Sequence, residues 1–414
     1  MSAQAHPSPQ KSAIKRLLGI FRWALLAAAI VFLYRAVSWN DYIRVKPAEG
    51  PYVRLLEMQS EAGPFTVLRD GKQTTLTLDE VHAVNGLPDI RYGIAGVLQR
   101  INWSWAAISL ALFGPVPLMA SLRLVWMLRM QEVLVSIWTA IKLTYAGNFF
   151  NFALPGSTGG DLIKAYYLTA HTHRKTEAVT VVFLDRVIGL IGLVLVAAIM
   201  IVCAWDSARF GRIAAGLGTV LGILALGSLV VFSERLRHAV GLPKLAAMLP
   251  GGQHLLRIGR TLTALRDHLP LSFACLMLTV ALQFLVMVSV YAFALALQMK
   301  GDFPQYLIYV PILFLVAALP IAPPQGFGVM EAFSLQFFGR DAGNTPAQAL
   351  ALALAIRIVQ LVWALPGGLV PLLGAHVPRA DELAEMEESD EGAAPEPPVG
   401  TSGDIAGSSV GAVA

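Results

Sequence analysis

The sequence predicts an all-α polytopic membrane protein: about six transmembrane helices and two re-entrant helical hairpins in an inverted repeat, with a small β-rich extracytoplasmic insert. Three observations carry this. The 414 residues are 56% hydrophobic and 14% charged, with mean hydropathy +0.62, against roughly 25% charged residues in soluble domains. The apolar residues gather in runs long enough to cross a ~30 Å hydrocarbon layer at ~1.5 Å per residue. Two apolar stretches are also broken by proline and glycine and then followed by a carboxylate. These are YAGNFFNFALPGSTGGDLIK, Tyr145 to Lys164, and LPIAPPQGFGVME, Leu319 to Glu331. Proline removes a backbone donor and glycine weakens a helix, so each break frees polar backbone that lipid cannot satisfy. Such backbone persists at membrane depth only where protein or a wet cavity surrounds it.

The elements follow in chain order. Residues 1–16 are polar with Lys15 and Arg16 at their end, and 17–39 is an apolar run with Arg22 and Arg35 placed to snorkel. The run reads as an uncleaved first transmembrane helix with its N-terminus in the cytoplasm; a signal peptide is the competing reading. Residues 40–100 are polar and mixed in charge. Arg54 to Met58 and Phe65 to Arg69 read as strands, Lys72 to Leu78 alternates, and Asp70-Gly71 is a two-residue hairpin signal. The insert is either a cap or partner-binding module or a solvated linker domain.

The transmembrane domain is expected over 101–374. Ile101 to Leu122 forms the second span, opened by Trp103 and Trp105 and closed by Arg123 and Arg129 on the cytoplasmic side. The next apolar stretch, Val133 to Tyr167, has basic residues at both ends, so it reads as a hairpin whose tip lies within the membrane rather than as a crossing. Val179 to Trp205, Arg212 to Phe232, Leu271 to Leu297 and Ala347 to Leu373 give spans three to six, and Phe303 to Phe338 gives the second hairpin. The Arg-rich loop Ser233 to Pro270 carries apolar residues at helical spacing, as either a membrane-surface helix or a helix packed on the protein would. Residues 375–414 form an acidic, low-complexity cytoplasmic tail expected to be disordered. Both termini are then cytoplasmic in a cell membrane.

This topology makes the two halves inverted copies in outline. Each hairpin break precedes a carboxylate, and each following span holds an arginine: Asp161 and Arg186 are 25 positions apart, Glu331 and Arg357 are 26 apart. Inverted repeats with broken helices are a recurrent way to build a substrate path near the bilayer midplane. The expected path residues are Asn151, Pro155, Gly156, Gly159, Gly160, Asp161, Lys164, Asp185 and Arg186 from the first half. Pro323, Gly326, Gly328, Glu331 and Arg357 come from the second. In the functional reading, the Arg186 and Arg357 forks take a lipid phosphate while Asp161 and Glu331 hold them or meet a cationic headgroup. The bland reading is a pair of internal salt bridges that lock the repeats together.

The segments LPGSTGGDLIK, FLDRVIGL and APPQGFGVMEA resemble the transmembrane region of lysylphosphatidylglycerol synthetases and related flippase-like membrane proteins, over roughly Ile101 to Gly374. The resemblance implies translocation of an aminoacylated phospholipid or another lipid-linked headgroup between leaflets; some relatives are associated with polyprenyl-linked sugars. The soluble aminoacyl-transferase domain of the bifunctional members is not expected among these 414 residues, and the second break reads Pro323-Pro324-Gln325-Gly326 in place of a Pro-Gly pair.

The expected partners are therefore membrane lipids, either anionic or aminoacylated phospholipid or lipid-linked sugar, and not nucleic acid. No metalloprotease, P-loop or serine-hydrolase motif occurs, and neither Cys203 nor Cys275 belongs to a metal-spaced cluster. The expectation is a protein without catalytic residues, metal or cofactor. The alternative is a membrane enzyme or enzyme subunit using Asp161 or Glu331 as acid or base on a lipid-linked substrate.

Overall fold

The computed structural model describes Val31 and residues 39–47, 49–58, 60, 63–84, 87–153, 159–169, 172, 175–203, 268–318 and 324–372. Most of the predicted first span, the predicted fourth span, the loop helix and the tail lie outside the described residues.

Among the described residues, four helical stretches are long and apolar enough to cross a membrane: Trp103–Met130, Glu177–Met200, Leu269–Ala296 and Pro346–Gly368. They coincide with the predicted spans two, three, five and six. The helices in order are α1 (Ile94–Gln99), α2 (Trp103–Phe113), α3 (Pro115–Met130), α4 (Ile137–Ala153), α5 (Gly159–Thr169), α6 (Lys175–Cys203), α7 (Leu269–Ala296), α8 (Phe303–Ala317), α9 (Val329–Ser334) and α10 (Pro346–Ala364). A 3-10 turn, Pro324–Gly326, precedes α9, a π-helical stretch, Leu335–Asp341, follows it, and a second 3-10 turn, Leu365–Gly368, continues α10 into α11 (Leu369–Leu372).

The end of the second span differs from the sequence reading. The second span was expected to stop at Leu122 with Arg123 as its basic flank, but the helix runs on to Met130 and Arg123 is buried inside the bundle. The apolar run Leu124 to Leu128 resumes directly after Arg123, so this charge interrupts a span rather than ending one.

The helices meet through small residues and short polar contacts, as expected where lipid supplies no hydrophobic drive between apolar surfaces. Ser109 on α2 and Ser289 on α7 each donate a hydroxyl to the other's carbonyl, at 2.7 and 2.8 Å. Trp363 Nε1 of α10 donates to the Leu110 carbonyl at 2.8 Å, and its ring fills the space beside Gly114, where a Cβ would come within 2.6 Å. Gly367 lies so close to α4 that a Cβ would stand 1.9 Å from the Tyr145 carbonyl oxygen. The aromatic pairs Tyr306–Phe338 and Tyr309–Phe337 stack with centroids 4.9 and 4.8 Å apart, joining α8 to the π-helical stretch.

The insert holds a five-stranded antiparallel sheet in the order β4-β3-β2-β1-β7, from β1 (Asp41–Arg44), β2 (Tyr52–Met58), β3 (Phe65–Arg69), β4 (Lys72–Leu76) and β7 (Ile90–Arg91). A separate ribbon pairs β5 (Ala83–Val84) with β6 (Leu87–Pro88). Alternation sends Ile43, Leu55, Phe65, Val67 and Leu76 into one small core with Val81. Asp70 and Gly71 both have positive φ, 51° and 74°, which turns β3 into β4 as the Asp-Gly signal predicts. The β-rich segment was expected to reach Arg100; it ends at Arg91, and α1 follows, packed on α10. The Asp41 carboxylate accepts the Gly93 N–H at 2.7 Å just ahead of α1 and so ties the sheet to the helical domain. At the far edge, the Thr77 amide and hydroxyl hold the exposed Glu80 carboxyl below its usual range.

Candidate functional site

The first break is built by α4 and α5 folding back on each other. Asn151, in the last turn of α4, accepts the Gly160 N–H on its side-chain oxygen at 3.0 Å, which satisfies one of the unpaired donors at the start of α5. One turn earlier Gly147 faces Gly160 and the stem of Lys164; a Cβ on Gly160 would stand 1.9 Å from the Gly147 carbonyl oxygen. Two glycines thus let the arms touch backbone to backbone. Gly159 opens α5, and Asp161 sits in its first turn, where the helix dipole favours a negative charge. Pro155 and Gly156 lie outside the described residues.

Five charged side chains converge beside this break. Asp185 on α6 is buried and takes Arg123 Nε at 2.8 Å and Lys164 Nζ at 3.4 Å. Arg123 also gives Nη1 to the Thr279 hydroxyl at 3.0 Å and Nη2 to the Asp185 carbonyl at 3.3 Å. Arg186, the next residue on α6, points about 100° away around the helix and reaches Asp161 with Nη1 at 2.9 Å. This second pair is open, its side chains 25% and 30% exposed, whereas those of Arg123 and Asp185 are 7% and 11% exposed.

The second break is closed. Gly326 and Gly328 have φ of 62° and 81°, values that glycine adopts without strain, and Gly326 packs so tightly on Ala317 that a Cβ would meet it at 2.6 Å. The Gly328 N–H donates to Glu331 Oε2 at 2.7 Å, so Glu331 caps the helix it belongs to. Its other oxygen lies 2.7 Å from Arg357 Nη1, with both side chains under a tenth exposed. Arg357 Nη2 reaches Glu331 Oε2 and the Gln325 carbonyl, each at 3.3 Å, and Phe327 covers the guanidinium 3.8 Å from its ring centroid. The Arg357 Nε is buried and has no hydrogen-bond partner among the described residues. Pro323 lies outside the described residues.

Both predicted pairs, Asp161–Arg186 and Glu331–Arg357, therefore form. Lys164 and Asp185 join the first cluster, and Asn151 holds the first break together. Sequence reading missed Arg123, Thr279 and Gln325. For Arg123 the signal was the apolar run continuing beyond it; Thr279, an uncharged residue in an apolar helix, gave none. Gln325 donates its side-chain amide to the Asn151 carbonyl across 174 positions. Among the described residues no group of His, Cys, Asp and Glu is placed to hold a metal ion.

Broken helices bearing buried and half-open ion pairs inside a bundle of membrane-length helices define an integral membrane protein with polar groups in its interior. The sequence model of the lysylphosphatidylglycerol synthase TM region matches residues 93–367, and the chain belongs to that family. A search of curated proteins found no match. None was found among solved structures either.

Proposed function

We propose that this chain moves a phospholipid or other lipid-linked headgroup between the leaflets, along a path lined by two re-entrant broken-helix hairpins in an inverted repeat, without covalent chemistry. The observation that carries the reading is the Asp161–Arg186 pair. It stands at the start of α5, within a family domain of membrane helices, and keeps about a quarter of each side chain open while its neighbours are enclosed. A charge pair left partly open at such a place is positioned to exchange its internal partner for a zwitterionic or anionic headgroup.

The cations of the cluster suit a ligand with a phosphate: Arg123, Lys164 and Arg186 gather beside the first break with Asp161 and Asp185. Glu331, the other possible acid or base, has both oxygens occupied by Gly328 and Arg357, which weighs against the enzyme alternative. Family membership favours lipid handling. The acyl chains would stay in lipid, with the hairpin backbone and the Asp161–Arg186 pair meeting only the headgroup.

The test is leaflet exchange in proteoliposomes containing labelled phospholipids that differ in headgroup and one polyprenyl phosphate. Protein-dependent exchange of at least one phosphate-bearing lipid is expected. Rates equal to protein-free vesicles for every lipid would overturn the proposal.

A further inference from the structure

We infer that Gln325 is a positioning residue that latches the second break to the first, so that a headgroup passes only when this side chain lets go. The inference rests on the lipid-path reading above and adds to it a closing element. Asn151 lies in the last turn of α4, where backbone carbonyls have no acceptor role inside their own helix. Its carbonyl is taken by the Gln325 side-chain amide, while its side chain accepts the Gly160 N–H in the first turn of α5. One residue thus joins both arms of the first break to the tip of the second.

Gln325 is held from its other end as well. Its backbone is left-handed, φ 55° and ψ 18°, a conformation that side-chain-bearing residues rarely keep unless their surroundings fix them. In that turn its carbonyl faces Arg357 Nη2 at 3.3 Å, and Arg357 is anchored by Glu331, which caps α9. The chain of contacts runs from α5 through Asn151, Gln325, Arg357 and Glu331 to α9 without leaving described residues. The Gln325–Asn151 contact is the link in this chain that crosses from one hairpin to the other, a neutral hydrogen bond between elements 174 positions apart, while the far end is a buried ion pair. If the two hairpins part, they part here.

Gln325→Asn tests this. Asparagine tolerates the left-handed backbone and keeps an amide, but is one methylene too short to reach Asn151. Gln325→Gly is the second variant, removing the side chain with no backbone penalty. Spin labels on Ala153→Cys and Val329→Cys, in a background with Cys203→Ser and Cys275→Ala, report the separation of the breaks without reference to transport. The parent protein should give one narrow distance. Both variants should give a longer, broader distribution and leaflet exchange faster by about fivefold to tenfold, the shift that losing one net hydrogen bond produces in an open–closed equilibrium.

Folded variants with the parent's narrow distance would overturn the latch, and if the parent still exchanged lipid the transport reading would stand without it. Broadened distances in a protein whose parent exchanges no lipid would leave the latch standing and remove the transport reading.

Discussion

Asp185→Asn is expected to destabilise the protein more than any other single substitution in the first cluster. Among the described residues, Asp185 is the anion paired with both Arg123 and Lys164, and all three side chains are buried. Removing one partner of a buried ion pair costs about 3 to 5 kcal/mol because the remaining charge is stranded. Here two cations would be stranded side by side, so the loss should reach the top of that range and appear as a large fall in folded, monodisperse protein. Arg123→Met should rank second, since Lys164 can hold Asp185 but the bonds to Thr279 and to the Asp185 carbonyl are lost. Lys164→Met should rank last, because it leaves the Arg123–Asp185 pair intact. Melting of the detergent-solubilised variants checks the order. An Asp185→Asn protein melting with wild type, or Lys164→Met as the worst of the three, would contradict it.

The second large effect belongs to Glu331 and Arg357. Arg357→Met strands a carboxylate under a tenth exposed, and Glu331→Gln strands the guanidinium, so each should cost about 3 to 5 kcal/mol. Glu331→Gln retains an oxygen that can accept the Gly328 N–H and therefore isolates the charge from the cap. The double variant Glu331→Gln with Arg357→Met should recover much of the loss, since no uncompensated charge remains. Coupling of that size is read from the double-mutant cycle of melting free energies. Losses that simply add would show that the pair is not a unit.

Much of this architecture was legible because it is written in local signals. Proline and glycine breaks, carboxylates just after them, and arginines 25 and 26 positions on were enough to pair Asp161 with Arg186 and Glu331 with Arg357. The Asp-Gly turn announced the β3–β4 hairpin for the same reason, since positive φ at two consecutive residues has few sequence solutions. The two-residue strands β5 to β7 left no periodicity to read.

The site was harder, because what decides it is the direction of a side chain. Asp185 and Arg186 are adjacent in sequence yet serve different partners, as helical rotation turns one toward Arg123 and the other toward Asp161. Arg123 resembled a span-ending basic flank until its helix was seen to continue to Met130. Gln325 looked like an irregularity in a Pro-Gly motif, and its bond to Asn151 depends on two hairpins meeting, which no window of sequence contains. The arginine forks expected to act alike are also placed differently: Arg357 is covered by Phe327 and engaged with Glu331 and Gln325, while Arg186 is the more open of the two.

That difference gives the most direct test of the lipid path, the initial rate of leaflet exchange for Arg186→Lys in proteoliposomes. Lysine keeps the positive charge near Asp161 but loses the planar fork that binds a phosphate through two parallel bonds. The open position of the pair means that folding should be little affected. The account predicts a wild-type melting temperature with exchange reduced by about tenfold or more, equivalent to ~1.4 kcal/mol at the headgroup. Exchange at the wild-type rate in a fully folded Arg186→Lys protein would contradict it.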